Sequence, residues 1–268
     1  MDIVKVADRM KRDLIIAIAC EQVVRPAASD LELIKCFNLG QAGLAFDLVR
    51  HSLLFSQVMA LMRLWDKRSD VHSISRLISL FGDASQVEKL ITRERDAKHD
   101  LRVVEMAIGE GHQEVPFSVE RRDADQRVHE LRTGITSWLE NVKSVEGCEE
   151  IARLKKHRDE MAAHSAARTR RPPEIEPMRY DDGPQVLELT MPIVTKGYRL
   201  ATGIYHDFKS TTSVWHASQY DMWQIVRKAA QGERYEPTPV SGNELLEDMQ
   251  KNGATRVVVK LPGEFSPP

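Results

Sequence analysis

Along most of the chain the apolar residues recur every three or four positions, the spacing of one face of an α-helix. Val4, Met10, Leu14, Ile15 and Ile18 make such a face and predict a first helix over residues 2–24, closed near "RPAASD" because Pro26 disfavours continuation. A long helical region follows. Its later part, "HSLLFSQVMALMRLWDKR" (51–68), is apolar around so much of its circumference that it belongs at the centre of a bundle or at a subunit interface. "SISRLISLFGD" predicts a short helix over 73–83 that closes at Gly82. The next stretch predicts a helix over 83–109, starting at a cap-like Asp83 or Ser85 and stopping at Gly109, with "EGHQEVP" as a loop. Two further helices are expected over about 118–144 and 148–168. Three prolines in "RRPPEIEP" (170–177) break the pattern before the last two, 185–208 and 213–231, the first of them kinked or delayed by Pro192. The stretch 232–268 changes character, with five prolines and four glycines. It holds a short helix candidate at 243–251 and the one clear strand candidate at 255–262. The fold class expected is therefore all-α, with a helical domain over 1–232 and a short, mostly irregular C-terminal tail over 233–268.

Composition narrows this picture only a little. With 42% apolar and 29% charged residues the chain reads as globular, and a formal net charge of −2 names no partner, so any nucleic-acid footprint must be local. Cys20, Cys36 and Cys148 are odd in number and widely spaced, which points to reduced thiols rather than a disulfide framework or a metal-type cluster. The apolar "LIIAIAC" follows Asp2 and Asp8, which spoil a positive leader, and no run reaches the ~20 apolar residues of a membrane span. A cytoplasmic location with no membrane partner is expected.

The candidate chemistry lies in "RDEMAAHS" (158–165). An arginine followed by a histidine six or seven positions on occurs four times: Arg93/His99, Arg122/His129, Arg158/His164 and Arg199/His206. Spacing alone therefore selects nothing, but context does. The first two pairs sit in almost wholly polar stretches that read as outward faces, and Gly203 interrupts the last. Around Arg158 the apolar stripe runs Ile151, Leu154, Arg158, Met161, so a cation falls where the next core residue is due. A cation there needs an anion, either permanent or bound as substrate. His164 has small neighbours, Ala162, Ala163 and Ser165, which let a ligand or another backbone come close. From Arg153 to Arg171 seven basic residues stand against only Asp159 and Glu160, and such a patch attracts a polyanion. Arg168, Arg170 and Arg171 read equally well as stabilisers of a helix C-terminus.

These residues resemble the arginine–polar–x–x–x–histidine signature of the HEPN superfamily of helical ribonucleases and nucleotide-binding proteins. The upstream "LMRLWDKRSDVHSISRLISLF" (61–81) resembles a segment of its AbiU-type abortive-infection branch, and the likeness extends over about residues 30–230. The resemblance implies a HEPN-like helical bundle with extra helices, a homodimer, and a composite site that needs no cofactor and no metal. It carries the catalytic roles to Arg158, Asp159 and His164. Ser165 and Ala166 stand where the nucleotidyltransferase-linked branch carries a tyrosine, which argues against that branch. The implied activity is an RNA endonuclease, a toxin or phage-defence effector. In it His164 would act as acid and base, and Arg158 would hold the phosphate, leaving 2′,3′-cyclic phosphate ends.

Beside the catalytic group, Lys155, Lys156, His157, Arg168, Arg170 and Arg171 are candidate RNA contacts, although His157 reads better as a solvated histidine. Arg63 and Asp66, three apart in "RLWD", can pair on one helix and buttress the motif helix. On a helix, positions six apart differ by roughly 120° in direction and ~9 Å along the axis, so one chain presents Arg158 and His164 poorly to a single phosphate. Two copies facing across a two-fold axis do better. The rival from another class is a non-catalytic helical module that binds RNA or protein, such as an antitoxin-like partner. A metal phosphohydrolase built on His99–Asp100 or His206–Asp207 would need further ligands at set places. A di-iron site would need paired Glu-x-x-His motifs, which the chain lacks. The four tryptophans, Trp65, Trp138, Trp215 and Trp223, fit core or subunit-seam anchors better than base-stacking platforms, since none lies in the basic patch.

Overall fold

The computed structural model describes residues 2–38, 42–96, 101–108, 111–118, 124–163, 179 and 181–233. The helix candidate at 243–251 and the strand candidate at 255–262 lie outside these residues.

Helix α1 (Ile3–Ser29) is the spine of the bundle and packs against the helices α3 (Ala42–Leu64), α8 (Asp182–Thr202) and α9 (Phe208–Ala230). The Asp2 carboxylate caps its start by accepting from the Val4 N–H at 3.0 Å. Met10, Leu14 and Ile18 are fully buried and Ile15 packs beside them, as their spacing predicts, whereas Val4 is exposed and Val6 is buried instead. The helix does not stop at the expected place. It runs through Pro26, and the Pro26 carbonyl accepts from the Asp30 N–H at 2.9 Å. Val24 and Ala27, on either side of the proline, are buried, and this packing offsets the one missing helical hydrogen bond.

After the short α2 (Leu31–Asn38), α3 delivers Val58, Leu61, Met62 and Leu64 to the core. Its first half leaves Leu44, Leu48 and Val49 exposed. Among the described residues α3 is the one helix long and apolar enough by composition to cross a bilayer. Its C-terminal half is tied into the bundle by polar contacts. The buried Gln57 amide donates to Glu21 at 2.9 Å, and Arg63 Nη2 donates to the buried Asp13 at 2.9 Å. Helix α4 (Ile74–Phe81) is capped by Ser73 and closed at Gly82, where the sequence pattern places it.

The largest departure from the sequence reading follows α5 (Ala84–Asp96). The helix expected to continue to Gly109 ends at Asp96, and β1 (Leu101–Ile108) pairs antiparallel with β2 (Gly111–Ser118). A two-residue strand, β3 (Tyr205–His206), adds parallel to β1 and gives the order β2-β1-β3. Pro116 stands opposite Val103 on the edge strand β2, where a missing N–H is tolerated. The sheet is an appendage. Nine helices carry the described residues and the fold is an all-α bundle.

Helices α6 (Ala124–Glu146) and α7 (Glu149–Ala163) follow, and both pack against α8. Trp138 of α6 is fully buried, donates its indole N–H to the Ile193 carbonyl at 2.8 Å, and closes on Gly197 of α8. Pro192 neither delays nor breaks α8. It lies on the exposed side, where the carbonyl it leaves unpaired can reach water. Gly203 ends α8 with φ 79°, and Arg93 caps the same end by donating to the carbonyls of Ala201 at 2.6 Å and Leu200 at 3.2 Å. Arg93 therefore faces a helix end rather than open solvent as its polar context suggested. Trp65 and Trp223 are buried as anchors like Trp138, whereas Trp215 is exposed.

Candidate functional site

Helix α7 begins with Glu149 and Glu150, acidic residues that suit the positive end of its dipole. Ile151 and Leu154 are buried against the bundle. The next position on that stripe is Arg158, and its side chain is 18% exposed. The apolar spacing therefore carries a guanidinium to the edge of the core, as the sequence pattern requires.

Two carboxylates meet that guanidinium. Asp159, the neighbouring residue, accepts from Arg158 Nε at 2.8 Å and Nη2 at 2.6 Å. Asp66, from the turn after α3, stands 3.6 Å from Arg158 Nη1. The two differ in freedom. The Asp159 side chain is 57% exposed and that of Asp66 is 13% exposed. Asp66 is also fixed from its own turn, accepting from the Arg68 N–H at 3.0 Å, and its Oδ2 lies 3.3 Å from Arg68 Nε.

The "RLWD" segment anchors this corner by sending successive side chains in four directions. Arg63 reaches Asp13 of α1, through Nε at 3.1 Å and Nη2 at 2.9 Å. Leu64 enters the core. Trp65 donates its indole N–H to Thr190 of α8 at 2.9 Å. Asp66 faces Arg158 of α7. The Arg63–Asp66 pair read from their spacing does not form. Helix α3 ends at Leu64, so Asp66 is no longer one turn from Arg63 on a common helix, and the buried Asp13 takes the guanidinium instead.

The basic patch is smaller than its sequence count. Arg153 is only 10% exposed and is turned inward onto Asp182, with Nε 3.1 Å from both carboxylate oxygens and Nη2 2.6 Å from Oδ1. Glu149 and Glu150 complete its surroundings at 3.4 and 3.5 Å. Its hydrogen bond to Asp182 holds its pKa above the ordinary arginine value. Lys155 and Lys156 are exposed on α7, and His157 is half-buried. His164, Arg168, Arg170 and Arg171 lie outside the described residues.

Of the other arginine–histidine pairs, Arg93 caps the end of α8 and His206 is built into the fold. His206 is fully buried, with Nε2 3.0 Å from the Thr211 hydroxyl and its ring packed on Phe208. Asp207 caps α9, accepting from the Lys209 N–H at 3.0 Å and the Ser210 hydroxyl at 2.8 Å. Among the described residues no three His, Cys, Asp or Glu side chains are grouped as ligands for one metal ion.

Sequence reasoning missed Arg68. It shares Asp66 with Arg158 and its side chain is 70% exposed. The signal was present in "RLWDKR", where an aspartate just past a helix end is followed within two residues by an arginine able to fold back on it.

In a comparison with known families, the profile of HEPN_AbiU2, described as AbiU2, matches residues 35–217. That span takes in "RLWD", Arg158 and His164, and leaves all of α1 and the tail outside. No curated protein and no solved structure matches the chain.

Proposed function

The chain belongs to the AbiU2 family of HEPN proteins, an abortive-infection type of HEPN domain, and from that premise we propose that it is a metal-independent endoribonuclease whose site is completed by a second copy of itself. The observation that carries the reading is the state of Arg158. Its guanidinium faces a fixed carboxylate from the turn after α3, while its Nε/Nη2 edge is covered, among the described residues, by the exposed Asp159. That edge presents two parallel N–H donors, the geometry that suits a phosphate.

The chemistry asks for little more. A base takes the proton from the ribose 2′-hydroxyl, and the resulting oxygen attacks the adjacent phosphorus. The bond to the 5′-oxygen breaks as an acid protonates it, leaving a 2′,3′-cyclic phosphate and a free 5′-hydroxyl. Imidazole suits both proton transfers near neutral pH, which assigns them to His164 and its symmetry copy. Arg158 offsets the charge that builds on the non-bridging oxygens. Lys155 and Lys156, exposed on the same helix, and His157, Arg168, Arg170 and Arg171 near it in sequence supply contacts to the strand. Self-association is supported by the exposed Leu44, Leu48 and Val49 of α3, an apolar face that a second subunit would cover. The protein would act in the cytoplasm, with RNA as its substrate.

The test is purified protein, sized by light scattering and incubated with total RNA in the presence of a chelator, beside His164→Ala and Arg158→Ala. The reading expects a dimer that cuts RNA and two inactive variants. A His164→Ala protein that cuts at the wild-type rate refutes it.

One observation favours a second reading. Arg158 is already balanced by two carboxylates of its own chain, so its burial does not demand a bound anion. A non-catalytic helical module, such as the RNA- or protein-binding partner of a toxin, satisfies that geometry equally well. Harmless expression in growing cells together with intact RNA would select it.

A further inference from the structure

Resting on the ribonuclease reading, we propose that Arg68 is a second phosphate-binding residue, held beside Arg158 by the carboxylate of Asp66, so that the two guanidinium groups grip neighbouring phosphodiesters of one RNA strand. Three observations carry this. First, Asp66 Oδ2 is shared, 3.3 Å from Arg68 Nε and 3.6 Å from Arg158 Nη1, so two cations stand side by side across a single oxygen atom. Second, Asp66 is pinned by the Arg68 N–H at 3.0 Å and follows Trp65, which is tied to Thr190, so the bundle sets the position of the carboxylate that the two arginines share. Third, the two arginines divide the work between inside and outside. Arg158 is largely sunk at 18% exposure, whereas the Arg68 side chain is 70% exposed.

A single carboxylate cannot neutralise two guanidinium groups, and like charges held together cost free energy unless a counter-charge arrives. Asp159 supplies that counter-charge on the Arg158 side in the absence of RNA, and its exposure makes it the partner that a phosphate can displace. Lys67, the other cation of the turn, is committed elsewhere, 2.6 Å from Glu146 of α6. The grip therefore falls on Arg68 and extends the RNA path from α7 across the end of α3. Arg68 here is a binding residue, and Arg158 remains the one that meets the reacting phosphate.

The experiment uses full-length protein carrying His164→Ala to hold RNA uncut, and a fluorescent single-stranded RNA oligonucleotide, titrated over a series of salt concentrations with chelator present. Adding Arg68→Ala is expected to weaken binding about fivefold to tenfold, and to reduce the salt slope by about 0.7, the share of one phosphate contact on a single strand. Arg68→Lys, which keeps the charge and loses the fork, is expected to restore the slope and part of the affinity. In the cleavage-competent chain, Arg68→Ala should raise KM by a larger factor than it lowers kcat. If Arg68→Ala leaves affinity and slope at the parent values while Arg158→Ala lowers both, the inference is overturned and the ribonuclease reading stands. If Arg158→Ala also changes nothing, the site binds no RNA and both fall. Thermal melting of each variant shows whether any loss comes from unfolding. Because the Arg68 side chain is mostly exposed, its removal should leave the melting temperature at the parent value.

Discussion

Arg153 of α7 and Asp182, the first residue of α8, form a hydrogen-bonded ion pair in which Nη2 lies 2.6 Å from Oδ1 and the carboxylate is 1% exposed. The same carboxylate accepts from the Arg179 N–H at 2.9 Å. The pair joins the motif helix to the bundle and removes one cation from the surface that RNA would meet. Burial opposes the charge on Asp182, but the hydrogen bonds from Arg153 and from the Arg179 N–H outweigh it and hold its carboxyl below the usual range.

That shift gives a sign. A carboxyl whose folded pKa lies below its unfolded value, about 3.9, contributes stability in full above that value and loses it as pH falls through the lower folded value. Asp182→Asn is therefore expected to be less stable than wild type at pH 7 and to show a smaller fall in melting temperature between pH 5 and pH 2. Melting curves by circular dichroism over that range check it, and parallel pH profiles would show that the pair contributes nothing.

Gly197 lets α8 approach α6. A Cβ there would lie 3.0 Å from Trp138 Nε1 and 3.1 Å from Leu77 Cδ2, and Trp138 is held in place by its bond to Ile193. Gly197→Ala is expected to destabilise the fold by about 1–3 kcal/mol through overpacking. Urea denaturation should show a lower midpoint with an unchanged slope. A midpoint equal to wild type would mean that the α6–α8 contact is looser than these distances.

The two carboxylates on Arg158 predict opposite outcomes. Asp159→Asn uncovers the guanidinium edge and should tighten RNA binding by roughly threefold to fivefold, the most that an exposed ion pair supplies. Asp66→Asn also removes a negative charge, yet should slow cleavage at saturating RNA by about tenfold, because the group that aims Arg158 loses its charge. Binding titrations and single-turnover cleavage separate the two. Faster cleavage by Asp66→Asn would leave only a diffuse electrostatic role for that residue.

Arg93 closes the C-terminal end of α8 from α5, where the last carbonyls lack helical partners. Arg93→Ala is expected to cost about 1 kcal/mol. Hydrogen exchange should show faster exchange of amides in the last turn of α8 and little change in α1. Uniform acceleration throughout the chain would contradict a local cap.

The helices that package the site were legible because their signals were local. Ser73 and Gly82 bound α4, and the spacing of Ile151, Leu154 and Arg158 is enough to place the arginine at the core edge. The hairpin was hidden because residues 101–107 include Leu, Arg, Glu, Met and Ala, which also favour a helix. Only two residues, Gly109 and Glu110, separate the strands, and that short glycine-led connection was the cue to a reversal rather than a stop. Pro26 misled because a proline's cost is local, whereas the packing that offsets it comes from helices distant in sequence. The same limit applied to Arg63 and Arg153. Arg63 looked like a partner of Asp66 and Arg153 like an available cation, yet each is claimed by an aspartate, Asp13 or Asp182, that lies 50 or 29 positions away. Pairings over such separations leave no periodic trace.

Product-end analysis tests the central claim most directly: wild-type protein and Arg158→Ala are given a defined single-stranded RNA with chelator present, and the new termini are identified by mass spectrometry. The account predicts 2′,3′-cyclic phosphate and 5′-hydroxyl termini from the wild type, and a rate at least about a hundredfold lower from the variant. Intact RNA with folded, dimeric wild-type protein, or equal cleavage by Arg158→Ala, would contradict it.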